Sequence, residues 1–158
     1  METATTSHVT KGLIITALLI IMDVIGYYTG IKFLSSYNYL LWGVLILLFI
    51  IAATIYARQA QGSFGTVFSH AFKTAAVVAC LFFVYQLLAV NLFFPDIKQR
   101  LIETAAKENN KPMSNFTEDD LALMRKIVSV SQSAGSILKV LVSGLIGAVI
   151  GGTFVKKN

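Results

Sequence analysis

The sequence predicts an all-α polytopic membrane protein of four transmembrane helices, with an amphipathic helical hairpin between the third and the fourth. Three observations carry this. Four apolar runs, Leu13 to Leu34, Tyr39 to Ala57, Thr74 to Phe94 and Ile137 to Val155, are each bounded by charged or turn-forming residues. Runs of about 20 residues match the roughly 30 Å of hydrocarbon in a bilayer at 1.5 Å of rise per residue. The chain is 56% hydrophobic and only 13% charged, with a mean hydropathy of +0.72, which is membrane-class composition. Finally, the stretch 95–136 alternates charged and apolar residues at helical spacing. Four spans and this connection use all 158 residues as a single membrane domain, 1–158, and leave no room for a separate soluble one.

The first run follows Lys11 as a secretory signal would, but it is too long for a signal core. It also contains Asp23, and bulky Tyr27 and Tyr28 follow where small residues would mark a cleavage site, so it reads as an uncleaved span. Trp42 and the tyrosines at 27, 28, 37 and 39 cluster near the outer ends of the first two spans, as an aromatic belt does. After the second span, Gln59, Gln61, Gly62 and Ser63 make a turn, and Phe64, Phe68 and Phe72 then recur every four residues. The spacing predicts an interfacial elbow over 63–73 leading into the third span. His70 lies on it, but no second histidine or cysteine stands at ligand spacing and His8 falls in a polar tail, so His70 reads as an interface residue facing water.

The connection 95–136 opens with Pro95 and Asp96, a proline with fixed φ and an acid at the positive end of a helix dipole. Ile97, Leu101 and Ala105 share one face of a short helix that ends near Asn109, and Asn109 to Ser114 breaks it. Thr117 with Glu118, Asp119 and Asp120 resembles a capping box, and Leu121, Met124 and Val128 line the second helix of an extracytoplasmic hairpin. The serines of 129–136 make a joint into the last span.

Thirteen lysines and arginines against eight acids give a net charge of +5, but the cations are dispersed among loops and helix ends and form no nucleic-acid-binding face. They act as orientation signals. Lys11, Arg58, Lys73, Lys156 and Lys157 flank one side, against Lys32 in the short first loop, so both termini are expected in the cytoplasm. The connection adds six cations to the other side, beside acids that count little in this rule. The lone Cys80 excludes an intramolecular disulfide.

A basic residue before the first span, an acid within it, the Ser63-Phe64-Gly65-Thr66-Val67-Phe68 elbow with Phe72 and Lys73, and Phe94-Pro95-Asp96 form a pattern. Met113-Ser114, Thr117-Glu118-Asp119-Asp120 and a glycine-rich last span closed by Val155-Lys156-Lys157 complete it. The whole chain resembles the small bacterial four-span membrane proteins of domain-of-unknown-function family 4199. That resemblance implies the architecture and a bacterial inner membrane, and it implies no activity and no site residues.

Asp23 is the most unusual residue, since a carboxylate near the bilayer centre costs roughly 2.5 to 3.5 kcal/mol. Counted by helical rise, Gln86 of the third span and Lys139 of the fourth lie at reachable depths, so an Asp23, Gln86 and Lys139 polar contact is geometrically allowed; snorkelling of Lys139 is the competing reading. Gly26 and Gly30 make a GxxxG, and Gly144, Gly147 and Gly151 lie on two small-residue rows with Ser143, Ala148 and Gly152, which suits close helix packing within or between chains. No catalytic, cofactor-binding or metal-binding pattern emerges. The expected function is a non-enzymatic structural or interaction subunit in the lipid bilayer, with a second copy or another membrane protein as partner. The alternative is a small oligomeric transporter or channel with Asp23 on the permeation path. Asp23 decides: a closed hydrogen bond fits the first, a water-accessible cavity the second.

Overall fold

A computed structural model describes residues 7–60, 63–108, 110 and 113–154. It is all-α, with no strand among the described residues. Helix α1 spans His8–Thr29, α2 Ser35–Ala60, α3 Phe64–Leu88, α4 Ile97–Glu108 and α5 Glu118–Gly152. All but α4 are long and apolar enough to cross a membrane.

Helix α1 begins five residues before the apolar run, because the Ser7 hydroxyl accepts the Thr10 N–H at 3.1 Å and so satisfies one of the free first-turn donors. It ends earlier than the run does. Gly30 takes the left-handed conformation, φ +76°, and a 3₁₀ turn over Ile31–Phe33 reverses the chain into α2. The expected elbow is not a separate element: Ser63 caps α3 through the Thr66 N–H, and the helix runs unbroken from Phe64 into the third span. A π-helical turn, Ala89–Phe93, closes it before Pro95, with the Phe94 N–H reaching the Ala89 carbonyl at 2.8 Å.

The second helix of the expected hairpin is likewise the first half of α5. Thr117 and Asp120 form a complete capping box, and the serine stretch continues the helix instead of bending it, with Ser133 and Ser136 bonding carbonyls one turn back. At 35 residues, α5 is about 52 Å long and overshoots the other spans by several turns toward α4. The break expected over 109–114 and the end of the last run at Val155 lie partly outside the described residues.

Helix α3 is central, packing on α1, α2 and α5, while α5 also packs on α2. The core is built by Leu19 of α1, Leu45 and Phe49 of α2, Val78 and Phe82 of α3 and Val140 of α5. Small residues set the approach of α5. A Cβ on Gly144 would stand 2.2 Å from the Ala75 Cβ, one on Gly147 2.4 Å from the Phe49 Cβ, and one on Gly151 2.3 Å from the Ala53 Cβ. Backbones this close gain dispersion contacts that longer side chains would block. Gly26 lies under the Tyr37 ring, at 3.0 Å from the Cβ position, so α1 uses it against the start of α2. A Cβ on Gly30 would meet nothing within 4 Å; this glycine makes the left-handed turn, and the GxxxG gives no contact through it within the chain.

Candidate functional site

Near the end of the bundle where α1 turns into α2, buried polar side chains collect around Asp23. With α1 running from His8 to Thr29, Asp23 lies six residues from its end, about 9 Å along the axis instead of at mid-helix. It is 2% exposed, and Gly30 explains how its charge is met. The left-handed turn sends the chain back so that Lys32 folds into the bundle and places its ammonium 2.7 Å from Asp23 Oδ2. Tyr85 of α3 donates its hydroxyl to the same oxygen at 3.0 Å. One carboxylate thereby ties α1, the reversing turn and α3 together.

The contact that geometry allowed among Asp23, Gln86 and Lys139 is not made. Lys139 bonds Asn38 Oδ1 at 2.8 Å, at the start of α2, and Gln86 Oε1 is buried without a hydrogen-bond partner. The three still line one cavity of about 50 Å³, together with Lys32, Asn38 and Gln132. Space at that scale holds a few waters, at 10 to 15 Å³ of probe volume each, and falls well short of the roughly 300 Å³ of a small-molecule site. Water there would satisfy the orphaned Gln86 oxygen.

Sequence reasoning missed Lys32, which read only as a loop charge, and did not single out Tyr85 within the third apolar run. The available signal was Gly30 itself: a glycine just past a helix end followed by a lysine places that lysine beside the last turns of the helix it leaves.

Above this site, Tyr27 donates its hydroxyl to Asp96, which also pairs with Arg100 at 2.7 Å. The Arg100 guanidinium lies 5.5 Å from both the Tyr27 and Phe33 ring centres, and Tyr27 packs on Phe94 at 4.1 Å. This clamp fixes the start of α4 to the end of α1. The Tyr27 hydrogen bond holds the Asp96 carboxyl below the usual carboxylate range; burial opposes it, and a backbone hydrogen bond and Arg100 add to the lowering.

At the opposite end, His8 belongs to the first turn of α1 and not to a tail. Its ring meets the His70 ring at a right angle with centres 5.8 Å apart, while Tyr56 stacks on His70 at 3.6 Å. Among the described residues no group of three histidine, cysteine or acidic side chains could hold a metal.

An all-helical bundle with four long apolar helices and a buried ion pair defines a class of helical protein suited to a membrane. The chain belongs to the family described as Protein of unknown function (DUF4199), whose model matches residues 10–157. No curated protein and no solved structure matches it.

Proposed function

We propose that this is a non-enzymatic integral membrane protein of the bacterial inner membrane, both termini cytoplasmic, that serves as a structural or interaction subunit. Membrane insertion is supported by the outward faces of the long helices, where Leu13, Ile21, Leu47, Val84, Leu138 and Leu145 are all exposed. In water such a surface would drive aggregation, whereas in hydrocarbon it is the solvated face. The observation that carries the structural reading is the pair of partners on Asp23 Oδ2: Lys32 neutralises the carboxylate and Tyr85 donates to the same oxygen. Permeation needs a route onward from that carboxylate, and the seam of Gly144, Gly147 and Gly151 on Ala75, Phe49 and Ala53 packs α5 tightly against α2 and α3. An interaction role draws on the overshooting part of α5, where Leu123, Ile127 and Val130 form an exposed apolar stripe that a helix of a second copy or another membrane protein could cover.

The test is Asp23→Asn in proteoliposomes, read by thermal unfolding and by proton flux under an imposed pH gradient. The expected outcome is a lower unfolding midpoint, since a buried Lys32 loses its counter-charge, and equal background flux for both proteins. A flux through the parent that Asp23→Asn abolishes would overturn the structural reading in favour of transport.

A further inference from the structure

We propose that the end of the bundle carrying the N-terminus of α1 holds one anionic phospholipid, with its phosphate beside Lys11 and one acyl chain in the groove between α1 and α2. The inference is independent of whether the protein is a structural subunit or a transporter.

Lys11 is 7% exposed, yet no acid among the described residues pairs with it: the ion pairs there are Lys32 with Asp23 and Arg100 with Asp96. Its ammonium makes one long contact, 3.4 Å to the Ala52 carbonyl, and stands 5.0 Å from the centre of the Tyr56 ring. A lysine that merely snorkels carries its charge out to water. This one is drawn in between two helices and left without an anion, an arrangement that a ligand's negative charge would complete.

The surroundings specify what kind of anion. Lys11 caps a groove of about 170 Å³ whose walls are otherwise aliphatic, from Ile14 and Leu18 of α1 to Leu48, Ile51 and Ile55 of α2. The groove exists because α1 and α2 each pack on α3 instead of closely on one another. On a membrane-facing surface an apolar furrow is filled by hydrocarbon, and a furrow ending at an unpaired cation fits a chain ending in a phosphate. Beyond Tyr56 lies a wider polar hollow lined by His8, Ser63, Thr66, Ser69, His70 and Lys73, and His70 Nε2 there is buried with no hydrogen-bond partner. It gives a headgroup both charge and hydrogen-bonding groups. Charge complementarity extends over the whole end: Lys11, Arg58 and Lys73 lie on it, while all acids of the described residues, Asp23 and those between Asp96 and Asp120, lie toward the other end.

The experiment uses the full chain in detergent micelles, titrated with dioleoyl phosphatidylglycerol or dioleoyl phosphatidylcholine, with retained lipid counted by native mass spectrometry and unfolding followed by temperature. One phosphatidylglycerol should be retained in preference to phosphatidylcholine and should raise the unfolding midpoint. Lys11→Met should weaken that retention about fivefold, the factor expected for one basic side chain at an anionic surface. Leu18→Trp, at a position 41% exposed on the groove wall, should fill the furrow and expel the chain while leaving the bundle folded, so it decides the matter even if Lys11→Met fails to fold. Equal retention of the two lipids, or undiminished phosphatidylglycerol binding by Leu18→Trp, would overturn the proposal. So would an equal thermal shift from inorganic phosphate, which would mark a simple anion site without a lipid chain.

Discussion

At the scale of single residues, the Asp23 and Lys32 pair shows why a buried charge is better judged by its partner than by its depth. Both side chains are at most 5% exposed, so each has given up nearly all its water and depends on the other. Lys32→Met should therefore cost about 3 to 5 kcal/mol, because it strands a carboxylate that Tyr85 alone satisfies. The double variant Asp23→Leu with Lys32→Met should recover most of that loss, since replacing both charges by apolar groups is often neutral. Thermal unfolding in one detergent compares them, and a double variant no more stable than Lys32→Met would contradict the pairing. Asp96 makes the opposite case at the surface, where its side chain is 42% exposed. Its pKa lies below the ordinary carboxylate value in the folded state, so its contribution is present above the unfolded pKa and is lost as pH falls through the folded one. Tyr27→Phe, which removes the leading cause of that shift, should lower stability near neutrality and flatten the loss below about pH 4, so that thermal unfolding of parent and variant converges in acid.

At the scale of helices, one residue type performs two unrelated jobs, and substitution separates them. Gly147→Ala puts a methyl carbon 2.4 Å from the Phe49 Cβ and 2.9 Å from its backbone carbon, so overpacking of about 1 to 3 kcal/mol outweighs the helix-propensity gain of about 1 kcal/mol. Gly43→Ala in α2 meets nothing within 4 Å and should stabilise by about 0.5 to 1 kcal/mol. Parallel unfolding curves check both, and the same sign of change in the two variants would refute the account. The small-residue rows of α5 were readable because their spacing is a property of the helix itself. Gly30 was misread because GxxxG spacing also fits a glycine one residue past a helix end, and only the chain reversal distinguishes the two. The elbow and the second hairpin helix were expected as separate pieces because hydropathy changes at Lys73 and Ser136. A change of polarity is not a change of backbone direction, and with no proline at either point the hydrogen-bond ladder continues. Lys32 was missed for the converse reason: it reads as a loop charge by hydropathy, and only the chain reversal at Gly30 signals that its side chain turns inward.

At the scale of the whole molecule, the arrangement of charge is lopsided in a way that the net value of +5 conceals. The end formed by the start of α1, the end of α2 and the start of α3 presents Lys11, Arg58 and Lys73 with no acid among the described residues, whereas α4 and the start of α5 mix both signs. Charge retained on the cytoplasmic side during insertion is set by lysine and arginine near span ends, with acids weighing little. On the proposed orientation the first end faces the cytoplasm, and the overshooting part of α5 stands outside with α4 bonded to it through Arg125 and Gln99 at 3.3 Å. The check uses single cysteines in a Cys80→Ala background, needed because Cys80 is exposed. Asn115→Cys, on the outer connection, should react with an impermeant thiol reagent in intact cells, and Ser7→Cys should react only after the membrane is opened. Labelling of Ser7→Cys from outside, with Asn115→Cys protected, would invert the molecule. It would then mean that the six cations of the connection outweigh those at the termini, which is the one reading of the charge pattern that keeps the same four helices and reverses every assignment of side.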